Sequence, residues 1–154
     1  RGEWWLLGQI TIIAAHFLPS IHQTYPIRTY WEGLDLGIYL FILGLILAAI
    51  ALISLGKNLS PLPEPKVNSS LIISGAYRNC RHPLYQAILI CSFGIFVYLG
   101  SLLHLLLFIL SCIILRGKAL REERTLLKLH HEYLSYKLNT PAILPYIPYL
   151  DWRS

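Results

Sequence analysis

LYQAILICSFGIFVYLGSLLHLLLFILSCIIL, residues 84–115, runs for about 32 positions without an Asp, Glu, Lys or Arg. As a single helix it would be roughly 48 Å long, too much for one crossing of a hydrocarbon layer about 30 Å thick. Split in two, each arm has about 16 residues, a short span. Gly94, Gly100 and Ser101 lie near the middle. The run is therefore read as a helical hairpin turning near Leu99-Gly100-Ser101. Pro83 stands directly before it, suited to the first position of the first arm, where its missing N–H costs nothing.

Composition supports a membrane setting. The chain has 154 residues, 55% hydrophobic and only 14% charged, with a mean hydropathy of +0.54. Soluble domains carry about 25% charged residues. One integral membrane domain over residues 1–154 is expected. Because the chain starts at Arg1 and contains no methionine, its N-terminus is read as truncated. The net charge of +5 does not point to nucleic acid, since its placement follows the apolar segments. Cys80, Cys91 and Cys112 form neither a disulfide framework nor a metal-ligand spacing, and no metal site is expected.

Outward from the hairpin, Leu36 to Leu55 is an uncharged stretch of about 20 residues, long enough to cross. Trp4 to Leu18 is a more marginal span that includes Gln9 and His16, and His16 is read as a polar group bonded inside the bundle. Ser20 to Asp35 is a polar, aromatic loop. Gly56 to His82 is a long loop in which Pro61, Pro63 and Pro65 forbid helix. Within it Leu71-Ile72-Ile73 is a candidate strand-like or interfacial piece, and Ser74-Gly75 reads as a turn. After Arg116 the second arm continues as a charged helix leaving the membrane. Tyr146, Tyr149 and Trp152 read as interface anchors. The expectation is an all-α, polytopic membrane bundle of about four spans, near 4–18, 36–55, 84–99 and 101–116. All Lys and Arg except Arg28 then lie on one side, which the positive-inside rule makes cytoplasmic. That face also joins two polar clusters about 40 residues apart in sequence.

The first cluster holds Tyr77, Arg78, Arg81, His82 and Tyr85. The second holds Lys118, Arg121, Glu122, Glu123, Tyr133 and Tyr136. Carboxylates suit hydroxyls or an ammonium group, arginine suits a carboxylate, and aromatic faces attract a cation. Together they suit a zwitterionic, cationic cofactor beside a lipid-facing wall. Topology anchors, solvated i, i+4 pairs such as Lys118–Glu122, and belt aromatics are the plainer alternatives. Adjacent His130 and His131 do not share a helix face and are read as a solvated or interfacial pair rather than a metal site.

Ser74-Gly75-x-Tyr77-Arg78-x-x-Arg81-His82-Pro83-x-Tyr85 resembles the Arg-His-Pro-x-Tyr motif of the isoprenylcysteine carboxyl methyltransferase and phospholipid methyltransferase superfamily. Glu122-Glu123-x-x-Leu126 resembles its paired-glutamate motif. Tyr133-x-x-Tyr136 with Pro141 and Pro145 is similar to its C-terminal end, and Leu55-Gly56-Lys57-Asn58-Leu59 also fits. The likeness covers about Leu36 to Pro148. Ala76, Ala87, Lys118 and His130-His131 depart from the usual pattern, which has proline, glycine, arginine and Phe-Gly there.

The resemblance implies a multi-pass enzyme using S-adenosylmethionine, its cofactor pocket at the cytoplasmic face and its lipidic substrate entering from the bilayer. It implies cofactor contacts from Tyr77, Arg81, His82, Tyr85, Glu122 and Glu123, with His82, Glu122 and Arg121 as the catalytic group. A carboxylate acceptor needs no base, whereas an amine must lose a proton. No obligatory base is evident, so a carboxylate, of prenylcysteine type first, or a thiol-type acceptor is expected, with a phospholipid amine the alternative. A non-enzymatic membrane subunit or scaffold, and a relative of membrane sterol reductases, are the competing readings.

Overall fold

The computed structural model describes residues 3–19, 36–56 and 71–153. The Ser20–Asp35 loop and the proline run at 61–65 lie outside the described residues. Among those described, five α-helices and one 3-10 turn are present, with no strand. They are α1 (Glu3–Ala15), α2 (Leu36–Leu55), the 3-10 turn (Gly75–Arg78), α3 (Pro83–Leu99), α4 (Leu102–Leu129) and α5 (Tyr133–Asn139). Two of them, α2 and α4, are long and apolar enough to cross a membrane. Residues 71–73 form no regular element.

The hairpin forms as the apolar run requires. His82 caps α3, and Pro83 occupies its first turn. Gly100 ends α3 in the left-handed region, at φ 58°, with its N–H on the Phe96 carbonyl at 2.8 Å. A side chain there would meet its own carbonyl, which is why glycine is the usual stop. Ser101 then opens α4, which continues unbroken past Arg116 for 28 residues, about 42 Å.

The α2–α3 pair packs through small residues. Gly37, Gly44 and Ala51 recur every seventh position of α2 and are buried. A Cβ on Gly44 would lie 2.4 Å from Cys91 Sγ and 2.9 Å from the Ala87 carbonyl, so the backbones touch where side chains normally stand. Only 17% of the most apolar stretch of α2 is buried. Ile38, Ile42, Leu45, Ile46 and Ile53 face outward, a surface that suits hydrocarbon. The lower end of α2 holds the 3-10 turn. Ser54 Oγ donates to the Ile50 carbonyl and accepts the Ala76 N–H at 3.1 Å. Gly75, at φ 61°, fits against that hydroxyl.

Helix α1 lies along α4, with Trp5 covering Gly117 and Gly8 meeting Ile114. His16 is bonded inside the bundle: Nδ1 donates to the Ile12 carbonyl at 2.7 Å, and Nε2 meets Ser92 Oγ at 2.6 Å. After α5 the chain turns back as an irregular tail. Its course is set by consecutive backbone bonds, Arg81 N–H to Pro141 C=O at 2.9 Å and His82 N–H to Ala142 C=O at 3.0 Å. The core at this end unites Tyr85 and Leu89 of α3, Leu115 and Ala119 of α4, and Ala142, Ile143, Leu150 and Trp152 of the tail.

Candidate active site at the foot of the hairpin

Three segments meet at the start of α3. The hairpin brings Glu122 and Glu123 of α4 beside His82 and Tyr85, and the tail closes over Arg81. Helical geometry separates successive residues by 100°, so the two glutamates enter the site on different sides of α4.

Glu123 is buried, and both of its oxygens are occupied. Oε1 accepts from Arg81 Nε at 2.9 Å and lies 3.0 Å from His82 Nε2, while Oε2 accepts from Trp152 Nε1 at 2.8 Å. A buried charge needs this degree of compensation. Arg81 is equally committed. Its guanidinium donates to the carbonyls of Lys137, Thr140 (2.8 Å) and Trp152 (2.5 Å) as well as to Glu123. Its N–H groups therefore face the tail and α4.

Glu122 differs. Oε1 accepts from Tyr85 Oη at 2.5 Å, and Oε2 stands 3.6 Å from His82 Nδ1, beyond ordinary hydrogen-bond length. Its side chain keeps 20% exposure. The His82 and Tyr85 rings stack with centroids 5.4 Å apart and planes 3° from parallel. Lys118, one turn before Glu122, is also buried. Its Nζ donates to Gln9 at 2.7 Å and lies 5.3 Å from the Tyr85 ring centroid.

Tyrosines line the side toward α5. Tyr136 donates its hydroxyl to the Tyr77 carbonyl, and its ring meets Tyr133 edge-on at 5.8 Å. Burial, then the Glu122 charge, pushes the Tyr77 hydroxyl up to about 12. Burial also raises Tyr133 and Tyr136, with Glu123 adding to both. The Cys80 thiol, under the tail, donates to Ala142 C=O at 3.2 Å and is pushed up to about 11 by burial.

The structure thus gathers Tyr77, Arg81, His82, Tyr85, Glu122 and Glu123 in one place. Arg121 is half-buried on the same helix, turned about 100° from Glu122 and 200° from Glu123. His130 ends α4 through its N–H to Leu126 C=O, and His131 is exposed. Of the three expected interface anchors, Tyr146 and Tyr149 are exposed, but Trp152 is not: it is 9% exposed, because its indole N–H finds a buried carboxylate. Sequence reasoning missed Trp152 as a member of this site. It also missed the Lys137 and Thr140 carbonyls, which no side-chain identity could have revealed.

Comparison with known proteins places these elements in a family. The family described as phospholipid methyltransferase matches residues 34–132, well over half of the chain, from α2 to the end of α4. A curated relative, the cobalt-zinc-cadmium resistance protein CzcN of Cupriavidus metallidurans, is 29% identical over 117 residues, covering 75% of this chain and 53% of that protein. The chain thus spans about half the length of the curated relative it matches. No solved structure matches.

Proposed function

Since the chain belongs to the phospholipid methyltransferase family, within the isoprenylcysteine carboxyl methyltransferase-like superfamily, we propose that it moves a methyl group from S-adenosylmethionine to a lipidic acceptor at the foot of the hairpin. The observation that carries this reading is Glu122. It is a carboxylate at the centre of the site with one oxygen not in hydrogen-bond contact with His82, set between the stacked Tyr85 and the Tyr77 side. Such a group suits an ammonium or a ribose hydroxyl, and the tyrosine faces suit a cation. These are features of S-adenosylmethionine, so the donor set fits that cofactor. Its arginine contact is the exception, because Arg81 is spent on the tail carbonyls and Glu123.

When bound, the cofactor supplies a methyl group activated on a sulfonium. The protein's part is to orient and to exclude water. Glu122 and Tyr85 hold the polar end. Glu123, Arg81 and the tail form the rigid wall behind His82. Both nitrogens of His82 face carboxylates, Nε2 at 3.0 Å from Glu123 and Nδ1 at 3.6 Å from Glu122. A lipidic carboxylate needs no base and is the first reading of the acceptor. A phospholipid amine is the second reading, favoured by the family's description. Four crossings, with this site on the cytoplasmic face, complete the proposal. The shorter α1 and α3 lie against the two long apolar helices, and the described Lys and Arg side chains gather at the site's end.

Calorimetry with purified protein in detergent tests the cofactor. S-adenosylmethionine should bind, and Glu122→Ala should abolish binding while leaving folding intact. Absence of binding to the wild type would overturn the reading. Labelled-methyl transfer to prenylcysteine, phospholipid and small-thiol acceptors then separates the acceptor classes.

A further inference from the structure

We infer that Trp152, about twenty residues beyond the end of the family match, is a positioning residue of the site, acting on His82 through Glu123. The inference rests on the methyltransferase reading and adds a residue to it. A carboxylate held only at Oε1 can still turn about its own axis. Here Arg81 and His82 take Oε1 and the indole N–H takes Oε2, so the plane of the Glu123 carboxylate is fixed. Its fixed plane in turn directs the His82 ring, whose Nδ1 faces Glu122. Trp152 is fastened on its other side as well. Its carbonyl accepts from Arg81 at 2.5 Å, and its ring stands 5.9 Å from the Arg81 guanidinium carbon and 5.5 Å from that of Arg116.

Trp152 is not needed merely to dock the tail. The tail is fastened to the body by the Arg81 and His82 backbone N–H groups on Pro141 and Ala142 and by the Cys80 thiol on Ala142, and it is folded on itself by the Ile143 N–H on Leu150 C=O at 2.9 Å and the Ala142 N–H on Asp151. Loss of the indole donor therefore leaves the tail in place and releases only the carboxylate. That separation makes the inference testable, because Cys80 lies under the tail and reports docking without any cofactor.

The experiment uses the full chain in detergent with Cys91→Ala and Cys112→Ala, so that a maleimide reads Cys80 alone. Trp152→Phe keeps a ring and removes the donor, and Tyr146→Ala changes a tail side chain that is 93% exposed. Trp152→Phe is expected to keep Cys80 protected and to weaken S-adenosylmethionine binding several-fold, because a Glu123 carboxylate free to turn no longer holds His82 in one orientation. Tyr146→Ala should change neither readout. Wild-type affinity in Trp152→Phe overturns the inference and leaves the methyltransferase reading standing. Exposure of Cys80 in Trp152→Phe also overturns it, because Trp152 would then be a tail anchor. A wild type that binds no S-adenosylmethionine overturns both.

Discussion

Glu122 and Glu123 are adjacent and chemically identical, but their surroundings give them different work. Glu123 is walled in by Arg81, His82 and Trp152, and it balances the guanidinium of an arginine whose side chain is fully buried. Glu123→Gln leaves that cation without its counter-charge. Breaking a buried pair costs about 3–5 kcal/mol, so this variant should unfold at a markedly lower temperature in detergent. Glu122→Gln removes a partly exposed carboxylate whose neighbours are a tyrosine hydroxyl, a more distant imidazole and the Lys118 ammonium. It should lose less stability than Glu123→Gln, yet weaken S-adenosylmethionine about tenfold or more, the scale of a charge-assisted hydrogen bond. Thermal unfolding and calorimetry on the same two samples check both halves. Equal loss of stability in the two variants would contradict the division. Cys80 offers a second residue-scale reading. With its thiol pushed up to about 11 by burial, it should carry on the order of one-hundredth of the thiolate of an ordinary cysteine near neutral pH. Maleimide should label it in the folded protein far more slowly than after unfolding in dodecyl sulfate.

Among the elements, α2 has no charged residue and sends no side chain into the site, but it decides where the site's first half stands. Its small-residue seam fixes α3, and Ser54 at its end fixes the turn that carries Tyr77. Gly44→Val would place a Cβ 2.4 Å from Cys91 Sγ and 2.9 Å from two backbone atoms. Backbone cannot step aside as a flexible side chain can, and overpacking costs about 1–3 kcal/mol or more. The variant should therefore lose stability and, through the displaced turn, cofactor affinity. Gly8→Ala on α1 is the control. Its Cβ would stand 3.6 Å from Ile114, an ordinary contact, and alanine favours helix by up to about 1 kcal/mol. It should be neutral or stabilising in a thermal shift. Such helices were legible in the sequence because chain length set against bilayer thickness leaves few alternatives for uncharged runs. Leu36–Leu55 and the turn at Gly100 stand where that argument put them. The extent of α4 was legible as a charged continuation of the second arm. The tail was not legible, because Pro141, Ala142 and Thr140 engage the site through backbone carbonyls, which every residue has, and Trp152 does so through its carbonyl as well as its indole.

At the scale of the whole molecule, three stretches distant in sequence depend on one another at the foot of the hairpin: the 3-10 turn with the start of α3, the second half of α4, and α5 with the tail. The side chains that join them outside the spans include several neutral groups that burial keeps protonated. Tyr77 is pushed up to about 12 and Cys80 to about 11, while Tyr133 and Tyr136 are raised as well. All four hold their protons more tightly folded than unfolded. Their contribution is fully present below the unfolded values, near 9 for the thiol and 10 for the phenols. Above these, the unfolded chain ionises while the folded chain does not, and stability falls as pH rises. Each group can add up to about 1.4 kcal/mol per pH unit, less for the half-buried Tyr77 and Tyr136. Thermal unfolding between pH 7 and 11 should therefore be flat at first and decline from about pH 9, more steeply past pH 10. Absorbance at 295 nm should show the three tyrosines ionising only together with unfolding. Phenols that all titrate near pH 10 in the folded protein, or a melting temperature that holds to pH 11, would mean that α5 and the tail do not seal this end of the bundle. Because α5 and the tail also hold Arg81, through the Lys137, Thr140 and Trp152 carbonyls, the alkaline loss of stability and the loss of cofactor binding should follow one curve.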